Sequence, residues 1–452
     1  MRLRPGLVTA GLFAFVTWTG LLLLVVLPVI GHGNWQTSTY WVAPRLVWDG
    51  AEHLLWDPVA FGDAAVRLGA IRDMGFLPHP PVGVLPLLPF GLLTQPAAFL
   101  AWTALGLGAL VLALLLLLAA LRFSGTAALV AVGLVPLFRP LRANIGEGQA
   151  YIFLLVALLL AAAWAAKGDS GDRSAERRAW TDVGAGLALG AMGILKLYYG
   201  LVLLLPALVQ RRWAIAATAV IGLAAAAAVT VMAWGFEGWA TWFDDALSSR
   251  TRPQTTVTAY QTLLSVFGRL LRYDATWNPG PIVDLPGLVD ILWFATVAVV
   301  VGVSVFVFAR YRRTVGRGLI LLPLAATVPV ELLLSPGSQD THYVLMILPL
   351  IVAGWSLAPV GALDRAVSGG RPNRATLVGW ALLALTGMLL AAPWSPNAPD
   401  GEGWAALLRY PRVYGALLLW GLLLWIIWRA GERDGAGEPA RAWAPDWGAR
   451  GT

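Results

Sequence analysis

The sequence predicts an all-α integral membrane protein with a bundle of about twelve transmembrane helices and two large extracytoplasmic loops. Three observations carry this. The 452 residues are 58% hydrophobic and 13% charged, with a mean hydropathy of +0.71, whereas soluble domains are roughly 45–50% apolar and about 25% charged. The apolar residues run in long stretches from Met1 to Ala430, and no hydrophilic block is long enough for a separate soluble domain. Lysine and arginine also collect in alternate gaps between the stretches, as the positive-inside rule requires.

The first stretch, 7–30, follows Arg2 and Arg4. It is too long for a signal-peptide core and has no small-x-small cleavage site, so it is expected to stay as an anchor. After an outer loop of about 32–81, the piece 82–93 contains Pro86 and Pro89, which predicts a re-entrant or interfacial helix. Spans follow at 98–121, 125–138, 149–166, 182–195, 198–209 and 213–234. Segments 125–138, 182–195 and 198–209 fall short of the roughly 20 residues a crossing needs. They are expected to be half-spans, or helices broken in the bilayer and shielded by neighbours. A second outer loop, about 235–286, leads to spans at 287–309, 318–334, 342–360, 376–392 and 410–428. The stretch 167–180 reads as a solvated linker of mixed charge. The whole forms one integral domain, 1–430, with a flexible Gly-, Pro- and Ala-rich tail, 431–452.

With the N-terminus inside, 20 of the 32 Lys and Arg residues lie inside and 12 outside, while 9 of the 25 acidic residues lie inside and 16 outside. Both termini are then cytoplasmic, and the pI near 10 reports topology rather than a nucleic-acid surface. The 23 tryptophans suit a protein with two interfaces to line. Absence of cysteine excludes disulfides and thiolate metal sites. No P-loop, His-rich metal spacing or Ser-His-Asp motif occurs, so no metal or cofactor is expected.

Polar residues concentrate on the outer side. The first outer loop carries Gln36, Tyr40, Asp49, Asp57 and His79. Lys196 lies between two uncharged apolar segments, where a buried cation costs roughly 2.5–3.5 kcal/mol. It must face water, by snorkelling from a helix end, or an anion such as a phosphate, with Tyr198 and Tyr199 beside it. Asn144 and Gln149 belong to a short polar outer loop, 139–149, and Gln149 is expected to open a helix whose first N–H groups can receive an anion. Interfacial capping explains them equally well. Glu331, near the outer end of its span, should pair with a cation. His342 opens the span 342–360, either as a proton or hydrogen-bond donor or as a helix cap.

Several motifs stand in a telling order: TYWVAPRLVWDGAEHLLWDPVAF (39–61), FLPHPPVGVLPLLPFGLL (76–93), NIGEGQAYIFLLVALLLAAAW (144–164), GILKLYYGLVLLLPALVQRRW (193–213) and SPGSQDTHYVLMILPL (335–350). Together, over roughly 35–360, they resemble glycosyltransferase family 87, whose mannosyltransferase members belong to the GT-C class. The resemblance implies a GT-C-like enzyme of the inner membrane. It would move a hexose, usually mannose, with inversion from a polyprenyl-phosphate sugar to a lipid-linked or glycan acceptor on the outer face. Such chemistry needs a carboxylate base, groups that hold the leaving phosphate, and an apolar groove for the lipid. The family's base is an Asp four residues before the aromatic aligned with Tyr40, and here that position is Gln36. Asp57 or Asp49 is then expected to be the base, unless each only caps a helix. His342 corresponds to a histidine near the sugar phosphate, and Lys196, Asn144, Gln149, Tyr198, Gln36 and His79 are the expected substrate-binding residues. The rival readings are a transporter or flippase, which predicts mid-membrane ionisable groups and internal repeats, and an inactive glycolipid-binding relative.

Overall fold

A computed structural model describes residues 5–29, 35–71, 75–76, 79–169, 175–248, 252–315, 319–358, 374–393 and 402–435. Arg2, Arg4 and the tail from 436 onward lie outside the described residues, as does the side chain of Gln36. Among the described residues the secondary structure is helical, with two isolated bridges, Tyr260 with Gln339 and Asp274 with Asn278.

Helix α1, Pro5–Val29, contains a π turn at Leu22–Val26. The stretch expected to be the first outer loop is helical: α2 is Trp35–Trp48, a 3₁₀ turn covers Glu52–Trp56, and α3 is Pro58–Arg67. The piece expected to be a re-entrant or interfacial helix is a 3₁₀ helix, Pro81–Leu92, in which Pro86 and Pro89 have no N–H to donate. Next come α4 (Gln95–Ala120), α5 (Gly125–Leu134), α6 (Arg139–Glu147), α7 (Tyr151–Asp169), α8 (Ala175–Leu195), α9 (Leu197–Val202), α10 (Leu205–Val209) and α11 (Trp213–Trp234). The second loop holds α12 (Glu237–Ser248) and α13 (Leu263–Leu271). The remaining helices are α14 (Pro286–Val315), α15 (Leu321–Leu334), α16 (Ile347–Leu357), α17 (Arg374–Ala391) and α18 (Pro411–Gly435).

Seven of these helical stretches are long and apolar enough to cross a membrane, and an eighth forms if α5 and α6, bent by 53°, count as one broken span. Side chains such as Phe15, Ile221, Met232, Ile291 and Phe306 point outward from them. Apolar surface on that scale is stable in lipid and costly in water. The chain is therefore a polytopic helical membrane protein.

Two stretches differ from their sequence reading. Residues 139–147 form a helix, not a loop, and Gln149 precedes α7 instead of opening it. The left-handed Gly148 (φ 65°) ends α6, and Gly148 and Gln149 donate back to its last turn, Gln149 to the Asn144 carbonyl at 2.9 Å. The mixed-charge linker also contributes to a buried ion cluster. Arg212 is 5% exposed. It donates from Nε to both carboxylate oxygens of Asp182 (3.0 and 2.9 Å) and from Nη1 to Asp169 (2.9 Å). Asp169 in turn accepts the backbone N–H groups of Ile320 and Leu321, satisfying donors at the start of α15. A buried arginine requires such counter-charge.

The described chain forms two compact units. The first comprises residues 1–160, 186–201 and 217–249. In it α2 lies along the 81–92 helix, tied by Trp41 Nε1 to the Leu93 carbonyl (2.9 Å) and Trp48 Nε1 to the Leu88 carbonyl (2.8 Å). Contact is closest at Gly91, where a Cβ would stand 2.8 Å from Pro44 C and 2.9 Å from Arg45 N. Both are backbone atoms and cannot rotate away. Gly91→Ala is therefore expected to destabilise the protein by about 1–3 kcal/mol, read as a lower thermal transition in detergent. The second unit comprises 161–185, 202–216 and 250–452.

Candidate active site

The first unit gathers polar side chains around Lys196. Helix α8 stops at Leu195 and α9 turns back on it: a Cβ on Gly200 would lie 2.7 Å from the Gly193 backbone. Only two glycines let the chain fold so tightly, and the turn leaves Lys196 at its apex, 6% exposed. The start of the 81–92 helix closes onto the same turn, since Gly83 faces the Ile194 carbonyl at 3.2 Å from its would-be Cβ. Beside it, His79 Nδ1 lies 3.4 Å from the Leu195 carbonyl. Burial, and then the charge of Lys196, hold the His79 pKa well below the ordinary histidine value, with the Leu195 carbonyl acting weakly the other way. His79 is accordingly a neutral imidazole at ordinary pH.

Tyrosines complete the cluster. The Lys196 ammonium lies 5.8 Å from the centroid of Tyr151, within cation–π range. Tyr151 meets Tyr199 edge to face at 5.7 Å, and Tyr199 meets Tyr198 at 4.7 Å. Tyr40 stands 5.2 Å from His79, stacks on Trp102 at 5.0 Å, and accepts the Ala150 N–H through its hydroxyl at 3.4 Å. The start of α7 is thus pinned beside Lys196. Gln149, just before it, is buried. Asn144 is 1% exposed, and neither its amide nitrogen nor its oxygen has a partner among the described residues. An unsatisfied buried amide costs about 1–3 kcal/mol, a cost that folding alone gives no reason to carry.

Of the sequence-predicted residues, His79, Lys196, Tyr198, Asn144 and Gln149 fall in this unit and converge on the 79–83, 144–151 and 193–200 segments. Asp57 is exposed and caps α3, its Oδ1 accepting from Val59 N (2.8 Å) and Ala60 N (3.0 Å). Its neighbour Trp56 meets Phe76 at 6.2 Å, and Phe76 stacks on His79 at 5.0 Å, so Asp57 stands two aromatic layers from the cluster. Asp49, at the end of α2, pairs with Arg45 at 3.3 Å on the surface. His342 and Glu331 are buried in the second unit, on the 3₁₀ helix Asp340–Met346 and on α15.

That 3₁₀ helix belongs to a buried network the sequence reading missed. Arg412, 0% exposed at the start of α18, pairs with Asp340 at 2.5 Å. Gln261 donates to the Thr258 and Arg409 carbonyls, accepts from Arg412 N, and offers its own carbonyl to the Tyr343 hydroxyl. The available signal was an arginine directly after Pro411 at the head of an apolar span. Among the described residues, no group of three or more His, Asp or Glu side chains could hold a metal ion.

A buried lysine with tyrosines beside it, next to the start of α7 in a frame of apolar helices, is the centre of the first unit of this helical membrane protein. The chain belongs to glycosyltransferase family 87, whose model matches residues 76–336, more than half of its length. It is accordingly a membrane glycosyltransferase. No curated protein and no solved structure matches it. The matched region includes His79, Asn144, Gln149, Lys196 and Tyr198, and leaves Gln36, Asp49, Asp57, His342 and Arg412 outside.

Proposed function

We propose that the protein is a GT-C-type, inverting hexosyltransferase, mannose being the sugar the family resemblance favours, that uses a polyprenyl-phosphate sugar as donor and a lipid-linked or glycan molecule as acceptor. The observation that carries the proposal is Lys196, buried at the α8–α9 turn beside Tyr151 at the start of α7. A buried ammonium is suited to the leaving phosphate, whose charge grows as the glycosidic bond breaks. Asn144, Gln149, Tyr198 and neutral His79 are the hydrogen-bonding groups for phosphate and sugar, with Gln36 at the family's base position. No metal or cofactor takes part. The chain is proposed to cross the inner membrane about twelve times, with both termini cytoplasmic and the site on the extracytoplasmic face, a reading that rests on the arginine and lysine distribution.

In the reaction, a carboxylate takes the proton from the acceptor hydroxyl, and that oxygen attacks the anomeric carbon. The bond from that carbon to the phosphate oxygen breaks, and polyprenyl phosphate leaves. Asp57 and Asp49 are the proposed bases, and His342 the proposed donor to the leaving oxygen, a role resting on the resemblance alone. Asparagine caps helices as well as aspartate does, so Asp57→Asn separates capping from catalysis. With Asp57 as base, Asp57→Asn keeps the thermal transition and lowers hexose transfer by about 10²–10⁴-fold. If Asp57→Asn, Asp49→Asn and His342→Gln all leave transfer unchanged, the assignment of these three is wrong.

A further inference from the structure

The second unit carries a lip of exposed apolar side chains, with Asp284 and Glu402 exposed among them, built from two loops far apart in sequence. Residues 272–285 follow α13, and residues 402–409 precede α18. They are joined where Gly403 N donates to the Gly280 carbonyl at 2.9 Å, and a Cβ at Gly280 would meet the Glu402 side chain at 2.8 Å. Ile282 and Leu285 are held to α13 by their N–H groups, bonded to the Leu270 and Leu271 carbonyls at 2.9 and 2.8 Å. The backbone is thus fixed, yet the side chains on it point away from the protein. Trp404 is 70% exposed and Leu408, four residues further along the 3₁₀ helix Gly403–Arg409, 84%; Trp277, Ile282 and Val283 are also exposed.

What covers this lip follows from its continuation. Leu285 is exposed, and one residue later α14 begins and carries the exposed Leu288 and Ile291 at successive three-residue steps. Helix α14 is apolar enough to span a membrane, so the face bearing Ile291 contacts lipid, and the lip is the same face extended past the helix end. Polar backbone in the lip is engaged in turns, as where Asp274 accepts the Thr276 and Trp277 N–H groups at 2.9 and 2.8 Å. This removes the main cost of placing a non-helical segment near hydrocarbon. Tryptophan beside aliphatic residues at a span end is the composition that headgroup-level insertion favours.

We propose that the paired 272–285 and 402–409 loops insert into the bilayer interface, with Trp404 and Leu408 below the headgroups, as a membrane-embedded rim of the second unit. The occupant of the apolar lip is lipid, not a protein partner, and this holds whatever sugar the enzyme transfers. The chain contains no cysteine, so Trp404→Cys and Leu408→Cys introduce unique labelling sites on exposed positions that do not disturb the core. The full-length variants, spin-labelled and reconstituted in phosphatidylcholine–phosphatidylglycerol vesicles, are examined by power saturation against oxygen and a water-soluble nickel chelate. Oxygen collisions should exceed nickel collisions at both sites, at a depth of about 5–10 Å below the phosphates. Nickel accessibility typical of water would overturn the proposal. Immobilised labels shielded from both reagents would overturn it too, because they would show a protein cover.

Discussion

Replacing Lys196 with methionine is expected to lower hexose transfer by about 10²–10³-fold, the loss typical of removing one preorganised group from developing negative charge. Methionine keeps the length and apolar stem of the side chain, so the turn between α8 and α9, which depends on Gly193 and Gly200, stays folded. Removing a buried charge relieves its desolvation cost, and the thermal transition should hold or rise. A loss of activity without a loss of stability is the signature expected here. Lys196→Arg should recover only part of the rate. Its planar fork is larger and less compact than an ammonium, and Tyr151 stands 5.8 Å away on one side. Initial rates at saturating and limiting donor separate the effects: both kcat and kcat/KM fall if the charge acts in the transition state, and KM alone rises if it only binds.

The second large effect concerns stability. Arg412→Met should destabilise the protein by about 3–5 kcal/mol, because it leaves the Asp340 carboxylate buried without its cation. The double variant Arg412→Met, Asp340→Leu removes both charges and should recover most of that loss, since an apolar pair of similar volume is often as stable as a buried ion pair. Thermal unfolding in a single detergent, with all three proteins compared, reads this directly. Equal loss in the single and double variants would show that Arg412 stabilises through its other contacts, such as its bond to the Ala392 carbonyl at 3.4 Å, and not through the pair.

Much of the fold was legible because membrane crossing is a one-dimensional property. A run such as 213–234 has to be a helix in lipid, and α11 occupies those residues. The break between 195 and 198 was equally visible, because a lysine interrupts two apolar segments. The helix at 82–93 was legible as well, though its 3₁₀ form over Pro81–Leu92 was not. Helix α6 escaped notice because Arg139, Arg142, Asn144 and Glu147 give it a polar surface like that of a loop; its identity rests on the Gly148 cap.

The site was legible in its charged member and its tyrosine neighbours, but not in its convergence. That the Tyr40 hydroxyl reaches the Ala150 N–H at the start of α7, 110 residues along the chain, is a tertiary fact. So is the closure of His79 on the Leu195 carbonyl. Pairings at long range, Arg412 with Asp340 and Arg212 with Asp169 and Asp182, depend on which helix ends meet, and no local periodicity encodes that. For Asp57 the sequence posed the right alternative, and the structure supplies the capping half of it.

The most direct test is donor choice. Purified protein in liposomes is given an acceptor extract and either a radiolabelled polyprenyl-phosphate hexose or the matching nucleotide sugar. Labelled lipid product should form from the polyprenyl-phosphate donor and be absent with the nucleotide sugar, and Lys196→Met should abolish most of it. Transfer from the nucleotide sugar with none from the polyprenyl donor would contradict the account.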